Sequence, residues 1–365
     1  MLSTSLLRIL RATGRTSLEG AVRHAGTRFV YCASEERLVE TLPRDGSGLA
    51  VLTDNSFMLD YLKKLGVYKE ERIFSVQTES VETVDTILAM SRPTTVMGFG
   101  GGRVLDVAKM VAFRSGAPLV SVPTAPTHDG LLSRNCALIN GTKKSYPTKY
   151  PVKIVIPEYL WKKSGELQKA GRLDVLSDVM ALQDVSLAMA ESSFVPDNRH
   201  MSMAAEAALR VLNEHDEDDL AEALFLSGLA MHDSSRYCSG AEHELEKLLA
   251  PFLKNGYFHG QLVGTSTLLT ALVYKHNASQ MPAGLFFDAS TLFDELIELF
   301  EERDLLGYVL RPLEENSPEQ VAELLKKASA VRPERYTLWN KVPSQKVEWI
   351  DMLKEVTALG ARASL

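Results

Sequence analysis

Residues 94–109 read TTVMGFGGGRVLDVAK, and this stretch decides the fold class. The run Thr94–Met97 is typical of a strand, and Val104, Val107 and Ala108 then recur at helical spacing. A glycine-rich turn between a strand and a helix lets backbone N–H groups approach a pyrophosphate at the positive end of the helix dipole. The stretch therefore predicts an anion cradle in an α/β nucleotide-binding domain.

Two better-known phosphate-binding patterns do not fit this turn. Arg103 occupies the last glycine that the dinucleotide fingerprint G-x-G-x-x-G requires, and no G-K-[ST] follows as in a P-loop. The alternative interpretation is that the glycines only let the helix pack tightly on the sheet. Both interpretations stay open at the level of the sequence.

Short β-rich runs alternate with helical stretches through the first half of the chain. This alternation is typical of βαβ units and predicts a mostly parallel sheet. The predicted strands are Arg28–Cys32, Leu49–Thr53, Arg72–Val76, Thr94–Gly98, Leu119–Val122 and Val152–Ile156.

Beyond Pro157 the β-branched clusters disappear, and apolar residues recur at helical spacing. Predicted helices include Met201–Asn213, Leu220–Met231, His243–Phe252 and Leu292–Phe300. We therefore expect two domains: residues 1–157 form an α/β dinucleotide-binding domain, and residues 158–365 form an all-α domain for metal and substrate.

Composition excludes several classes of protein. With 45% hydrophobic and 24% charged residues, the 365-residue chain has the profile of an ordinary globular protein. Its formal net charge of -7 would repel a polyanion, and no basic stretch is interleaved with aromatic residues, so we expect no nucleic-acid partner. No apolar run approaches the roughly 18 residues that would span a bilayer, so we expect no membrane partner.

The cysteines and the N-terminus bear on the compartment. Cys32, Cys136 and Cys238 lie far apart without a C-x-x-C pair, which favours a reducing, cytoplasmic location. Residues 1–18 carry three arginines and no acid, the bias of an organelle transit peptide. We prefer the alternative, a short amphipathic helix built on Leu6, Leu7, Ile9 and Leu10.

Polar residues follow two of the predicted strands. Asp54 ends the strand Leu49–Thr53, where its carboxylate could accept hydrogen bonds from an adenosine ribose or cap a helix. Residues 121–130 read SVPTAPTHDG and end another strand, and ligands bind in α/β proteins at the carboxyl ends of parallel strands. Thr124, Thr127, His128 and Asp129 offer groups that could orient a polyol-like substrate, although a proline-rich turn explains the segment equally well.

Metal-ligand candidates lie in the helical half. Asp174, His243 and His259 show no local ligand spacing, and a single histidine is more often a hydrogen-bonded structural residue. One carboxylate and two imidazoles nevertheless form a sound ligand set for a catalytic divalent cation.

Taken in order, these segments resemble the sn-glycerol-1-phosphate dehydrogenases, within the superfamily of glycerol dehydrogenases, iron-type alcohol dehydrogenases and dehydroquinate synthases. The similarity covers most of the chain after residue 49. The matching motifs are Gly98–Lys109 with G-x-G-G-G-[RK]-x-x-D-x-A-K, Val122–Gly130 with V-P-T-x-x-x-H-D-G, Ser234–His243 with S-S-R-x-x-S-G-x-E-H, and Arg332–Leu338 with R-P-x-R-Y-T-[IL].

The resemblance implies a dehydroquinate synthase-like fold and a role for each candidate residue. Asp174, His243 and His259 would bind the metal, usually Zn2+, with Ni2+ or Fe2+ in relatives. The NAD or NADP pyrophosphate would lie on Gly100, Gly101 and Gly102. Asp106 and Thr124 would line the cofactor side, and Asp129 would contact the substrate. From their own positions, we expect Asp54 and Thr127 to contact the cofactor as well and His128 to act beside Asp129. A homo-oligomer is also implied.

The surroundings of the ligands depart from the family pattern. Leu173 precedes the first ligand where the family usually has glycine, and Gln261 stands where it has glutamate. Lys247 replaces a histidine four residues after His243. Groups around a metal tune its affinity and the fit of the substrate, so the substrate could differ from that of the family.

The expected reaction is the NAD(P)H- and metal-dependent reduction of a small, anionic ketone, most simply dihydroxyacetone phosphate to sn-glycerol 1-phosphate. His128 or Asp129 would order the proton relay. One alternative is another alcohol, polyol or phosphonate dehydrogenase of the superfamily. Others are a carbocycle-forming synthase that recycles NAD and a nucleotide-binding protein without activity.

Overall fold

The computed structural model describes residues 1–15, 17–54, 57–213, 217–253 and 256–363. The chain divides into two compact units. The sheet unit comprises Ser17–Gln168 and His215–His232, and the helical unit comprises Met1–Thr16, Lys169–Glu214 and Asp233–Leu365.

All the strands in the described residues belong to the sheet unit. They are β1 (Arg28–Cys32), β2 (Leu49–Thr53), β3 (Ile73–Ser75), β4 (Thr95–Gly100), β5 (Leu119–Pro123), β6 (Asn135–Asn140), β7 (Thr142–Pro147) and β8 (Lys153–Pro157). Six of them form a parallel sheet in the order β1-β8-β5-β4-β2-β3. These six strands match the six predicted runs to within two residues at each end.

Helices make up most of the remaining structure. In chain order they are α1 (Leu2–Thr13), α2 (Leu18–Ala25), α3 (Glu35–Thr41), α4 (Phe57–Leu65), α5 (Val81–Met90), α6 (Gly102–Ser115), α7 (Glu158–Trp161), α8 (Glu166–Leu176), α9 (Asp178–Glu191), α10 (Asn198–Leu212), α11 (Glu217–Ala230), α12 (Ala241–Leu249), α13 (His259–His276), α14 (Leu292–Glu302), α15 (Leu306–Glu314), α16 (Pro318–Leu325), α17 (Leu338–Lys341) and α18 (Trp349–Ala363).

The parallel sheet is covered on both faces. Along β2, Ala50 and Leu52 belong to one apolar cluster, whereas Leu49 and Val51 belong to another. Successive side chains of a strand point to opposite faces, so the two clusters lie on opposite sides of the sheet. This burial explains why the strands read as continuous apolar runs.

The antiparallel hairpin of β6 and β7 was not predicted, although the sequence carries a signal for it. Asn140-Gly141 joins the two strands, and Gly141 has a φ of 73°, which a residue without Cβ adopts readily. Only β6 shows the alternation of a half-buried strand, with Cys136 and Leu138 buried. The second strand is exposed along nearly all its length and therefore carries no apolar pattern.

The helical unit contains no strand among its described residues, as expected for this half of the chain. The preferred N-terminal helix is confirmed: Leu6, Ile9 and Leu10 of α1 are buried, and α1 packs on α10. None of the helices in the described residues is long and apolar enough to cross a bilayer.

The two compact units are not separated by a single boundary at residue 157. Helix α1 belongs to the helical unit, and α11 belongs to the sheet unit although it lies far beyond the predicted boundary. An amphipathic pattern reveals which face of a helix is apolar but not which surface that face covers. The division at residue 157 stays a prediction about where cofactor and metal residues lie.

Candidate active site

Three helices of the helical unit bring the predicted metal ligands together. Asp174 lies near the end of α8, His243 in the first turn of α12, and His259 at the start of α13. The Nε2 atoms of His259 and His243 lie 3.3 and 3.7 Å from Asp174 Oδ1. All three side chains offer ligand atoms within 4.8 Å of one another, a spacing that can hold one metal ion.

Gly260 explains why α13 can begin so close to α8. A Cβ on this residue would lie 1.9 Å from the carbonyl oxygen of Ala170 and 2.5 Å from its carbonyl carbon. Any larger residue would collide with the α8 backbone. The close approach of the two helices therefore explains why a glycine follows His259: it lets His259 reach Asp174.

Both imidazoles are oriented by glutamates of α12. His243 Nδ1 lies 2.8 Å from Glu242 Oε1, and His259 Nδ1 lies 3.0 Å from Glu246 Oε1. These partners assign an N–H to each Nδ1, which leaves each Nε2 directed at Asp174 as the atom that would bind a metal once it has lost its proton. A metal-binding histidine in proteins has just this arrangement, so the residues fit a divalent cation.

The charges of this cluster are strongly coupled. Burial would raise the pKa of Asp174, but the imidazoles of His259 and His243 outweigh it and hold that pKa well below its usual range. Burial would lower the histidine pKa values, but the adjacent carboxylates raise that of His243 and raise that of His259 well above the usual value. Because a metal ion needs neutral imidazoles, its binding would displace protons from the cluster.

Two departures from the family pattern lie in packed positions. Gln261 is fully buried, and its Nε2 donates to the carbonyl of Tyr308 at 2.8 Å. Leu173 packs against α13, where a Cβ on Gly264 would come within 2.9 Å of Leu173 Cδ2. Both residues therefore take part in the packing of α13. Lys247 lies one turn after His243 on α12.

In the sheet unit, the glycine turn joins β4 to α6. A Cβ on Gly98 would lie 2.8 Å from Ala108 Cβ, and one on Gly100 would lie 2.9 Å from Val104 Cγ2. These two glycines therefore serve close packing of the helix, the alternative interpretation of the motif. Gly101 is different, because a Cβ there meets nothing within 4 Å.

The start of α6 keeps its capacity to bind an anion. Gly101 is the N-cap residue and has no side chain to cap the helix. The first amides of a helix need partners, and phosphate groups commonly supply them. The motif thus combines both interpretations: Gly98 and Gly100 allow packing, whereas Gly101 leaves open space at the helix start.

The strand register places most of the predicted cofactor residues at one edge of the parallel sheet. Leu52 pairs with Gly98 and Gly100 pairs with Pro123, so Asp54, the glycine turn and Thr124 follow the carboxyl ends of three adjacent strands. The Thr124 amide donates to the carbonyl of Gly100 at 3.1 Å. Thr127 lies in the same loop as Thr124, and its amide donates to the carbonyl of Ala125 at 3.1 Å.

Asp106 lies one turn into α6. Its side chain is buried, its Oδ2 accepts a hydrogen bond from the Ala137 amide at 3.1 Å, and its Oδ1 lies 3.8 Å from Lys109 Nζ. Burial raises the pKa of Asp106 to about 6 and lowers that of Lys109. These contacts join α6 to the hairpin, and the role of Asp106 beside the cofactor stays a prediction.

The imidazole of His128 lies between two glycines. A Cβ on Gly102 would lie 2.4 Å from His128 Nε2, and a Cβ on Gly130 would lie 2.6 Å from His128 Nδ1. The glycine turn and the H-D-G loop therefore touch through this ring. The contact gives the glycine of H-D-G a physical reason that the sequence alone did not reveal.

Asp129 begins a single 3-10 turn, Asp129–Leu132, and is held by a helix that the sequence analysis did not connect with it. Ser227 Oγ of α11 donates to Asp129 Oδ2 at 2.9 Å. The next residue, Gly228, lets the helix approach, because a Cβ there would lie 3.1 Å from the Asp129 carbonyl oxygen. No local spacing could reveal a partner 98 residues away along the chain.

Comparison with known proteins places the chain among its relatives. The glycerol-1-phosphate dehydrogenase [NAD(P)+] of Methanothrix thermoacetophila is 31% identical over 332 residues, which cover 87% of this chain and 85% of that protein. The chain belongs to the glycerol-1-phosphate dehydrogenase family. The enzyme of that name from Saccharolobus islandicus is 29% identical over 299 residues, covering 77% of this chain and 79% of the relative.

Two broader comparisons agree with this family. Residues 57–162 match the model of iron-containing alcohol dehydrogenases. A probable glycerol dehydrogenase from Sinorhizobium meliloti 1021 has a similar crystal structure, with a TM-score of 0.65 and 18% identity, covering 92% of this chain and 98% of that one. The motif-based resemblance and the predicted fold class are therefore confirmed.

Proposed function

We propose that this protein is an NAD(P)H-dependent, metal-dependent dehydrogenase that reduces dihydroxyacetone phosphate to sn-glycerol 1-phosphate. The observation that carries the proposal is the cluster of Asp174, His243 and His259, with both Nδ1 atoms bound by glutamates. Membership of the glycerol-1-phosphate dehydrogenase family supports the choice of reaction.

Different residues have different roles in the proposed reaction. A bound divalent cation, for which we propose Zn2+, would supply Lewis-acid stabilisation of charge developing on the substrate oxygen. Asp174, His243 and His259 would hold that cation, while Glu242 and Glu246 fix the orientation of the two imidazoles.

We assign the cofactor to the sheet unit. Gly100, Gly101 and Gly102 would receive the pyrophosphate at the start of α6, and Asp54 would accept hydrogen bonds from the ribose. Thr124 and Thr127 would line the same edge. Lysine and arginine are absent from residues 54–60, which favours NADH over NADPH because no cation there would meet a 2′-phosphate.

The H-D-G loop is proposed to contact the substrate. Asp129 would accept hydrogen bonds from substrate hydroxyl groups, and the bond from Ser227 fixes the orientation of its carboxylate. His128 would order the proton donor, since its ring already lies against the glycine turn. A hydroxyl-binding carboxylate beside an imidazole suits a small polyol-type substrate.

The decisive experiment is the oxidation of NADH and NADPH by the zinc-loaded protein. Dihydroxyacetone phosphate is tested beside dihydroxyacetone and phosphonate analogues, with and without a chelator. Chelator-sensitive turnover of dihydroxyacetone phosphate supports the proposal, and consumption of the reduced cofactor in proportion to product excludes a carbocycle-forming synthase. No turnover of this substrate despite bound metal and cofactor refutes it.

Variants of the ligands test the metal role. His243→Ala and His259→Ala should lose turnover but retain NADH binding, because the cofactor is assigned to other residues. A double variant with unimpaired turnover would end the proposal. The second candidate, another alcohol, polyol or phosphonate dehydrogenase, is favoured by the changed surroundings at Leu173, Lys247 and Gln261, and the same substrate panel distinguishes it.

We also propose a cytoplasmic homo-oligomer that binds small molecules rather than nucleic acid. All three cysteines are buried thiols outside any disulfide, as suits a reducing compartment. Sedimentation velocity of the purified protein tests the oligomer, and localisation of a tagged chain tests the compartment.

A further inference from the structure

Lys109 is an almost completely buried lysine, with 1% of its surface exposed. It lies on α6, two turns after the glycine turn. Its Nζ donates hydrogen bonds to the carbonyl oxygens of Gly130 and Asn135, the latter at 2.8 Å. Lysine is almost never buried without specific partners, so these two bonds account for its position.

The two carbonyls bracket the turn that follows the H-D-G motif. Gly130 is the last residue of that motif, and Asn135 begins β6. Ser133 lies between them, and its Oγ donates to the same Gly130 carbonyl at 3.2 Å. The ammonium group therefore closes the turn from the inside and fixes both of its ends to α6.

The same helix also contacts this loop at its other end. Gly102, the first residue of α6, lies against the His128 ring, as the 2.4 Å approach of a Cβ there indicates. The loop is thus attached to α6 at its first turn and at Lys109. A shift of either attachment would move His128 and Asp129 relative to the glycine turn.

We propose that Lys109 is a positioning residue that fixes the loop His128–Gly130 relative to the glycine turn. The inference rests on the proposed function, since the loop acts during turnover. It predicts that loss of the Lys109 ammonium impairs the chemical step more than it impairs binding of the cofactor.

The competing explanation is that Lys109 only neutralises Asp106. The double variant Lys109→Met/Asp106→Asn separates the two roles. It removes both charges and keeps an oxygen that can accept from the Ala137 amide, but it still lacks the donor to Gly130 and Asn135. The single variant Lys109→Met leaves Asp106 buried without its cation. If that variant does not fold, the double variant still tests the proposal.

Lys153→Met is the matched control. Lys153 is a partly buried lysine of the same unit, and its Nζ donates to the carbonyl of Thr41 at 2.6 Å, away from the loop. This variant also loses a lysine bond to a backbone carbonyl, but it should keep the kcat of the wild-type protein.

The experiment measures kcat and KM of the zinc-loaded chains, together with amide hydrogen exchange of residues 128–135. We expect kcat of Lys109→Met and of the double variant to fall about 10- to 100-fold, as for other misplaced catalytic groups. KM of Lys109→Met for NADH should change by less than about threefold. Exchange in the loop should accelerate by at least about tenfold in both variants.

Two results would overturn the inference. One is a double variant whose kcat returns to within about twofold of wild type, because the single variant's defect would then be a charge effect. The other is unchanged exchange in residues 128–135, which can be measured even in an inactive protein. If the wild-type chain itself shows no turnover, the proposed function fails, whereas the exchange data still decide whether Lys109 anchors the loop.

Discussion

Gly260→Ala tests whether the close approach of α13 to α8 creates the metal site. The added Cβ would lie 1.9 Å from the Ala170 carbonyl oxygen, whereas real Cβ atoms essentially never come closer than 3.0 Å. The two backbones must therefore separate by at least 1.1 Å, the difference between these distances. Overpacking of this kind costs about 1 to 3 kcal/mol of stability.

The same displacement should remove His259 from the ligand set. Metal–ligand distances tolerate only about 0.2 Å, so a shift of 1.1 Å breaks the bond from His259. Loss of a supporting group costs about 10- to 100-fold in metal affinity, and loss of a ligand should cost at least the larger figure. We expect the purified variant to fold yet to retain little zinc.

The assay is zinc content after dialysis, with calorimetric Tm values measured in excess zinc and in chelator. Wild-type protein should show a Tm that zinc raises, because a ligand that binds only the folded state stabilises it. That increase should vanish in Gly260→Ala. Gly307→Ala is the control: a Cβ there meets nothing within 4 Å, and alanine in a helix is as stable as glycine or better. A folded Gly260→Ala protein with wild-type zinc affinity would refute the reasoning.

Three further substitutions test separate contacts. Glu246→Gln removes the charge that orients the His259 imidazole, and it should weaken zinc binding about 10- to 100-fold in a competition with a chromogenic chelator. Ser227→Ala removes a donor to the buried Asp129 carboxylate, and it should lower the free energy of unfolding in urea by about 1 to 3 kcal/mol. Gly101→Ala adds a methyl group in the space assigned to the pyrophosphate, so the NADH Kd from fluorescence titration should rise at least ~10-fold while the protein stays folded.

Each of these has an outcome that contradicts it. The exposed Glu323→Gln variant should leave zinc affinity unchanged. If both variants lost the same affinity, only the net charge would matter and the contact of Glu246 with His259 would not. Wild-type stability of Ser227→Ala would show that other partners suffice for Asp129. Normal NADH affinity in Gly101→Ala would place the pyrophosphate elsewhere.

The parallel sheet could be predicted because its physical origin is local. A strand buried on both faces must be apolar at every position, and runs such as Leu49–Thr53 show this directly. The hairpin was missed because β7 faces solvent and carries no apolar pattern. Its Asn140-Gly141 turn was the available signal.

The metal cluster could not be derived from spacing. Asp174, His243 and His259 come from three different helices, and their meeting depends on the close contact of Gly260 with Ala170, which is a tertiary fact. The family resemblance, and not the hydrophobic periodicity, indicated that these three residues bind one metal ion. Glu242 and Glu246 were missed for a similar reason, since glutamates on a helix usually face solvent.

The discontinuous sheet unit has a consequence for synthesis on the ribosome. The described strands are complete by Pro157, but α11 follows only within residues 215–232. Phe225 of α11 packs edge-on against Phe29, with ring centroids 4.6 Å apart. At about 5 to 20 residues per second, the 75 residues from 158 to 232 take roughly 4 to 15 seconds to translate. During that interval, Phe29 and the turn that begins at Asp129 are not yet covered by α11. The nascent sheet therefore exposes a surface that chaperones are suited to cover.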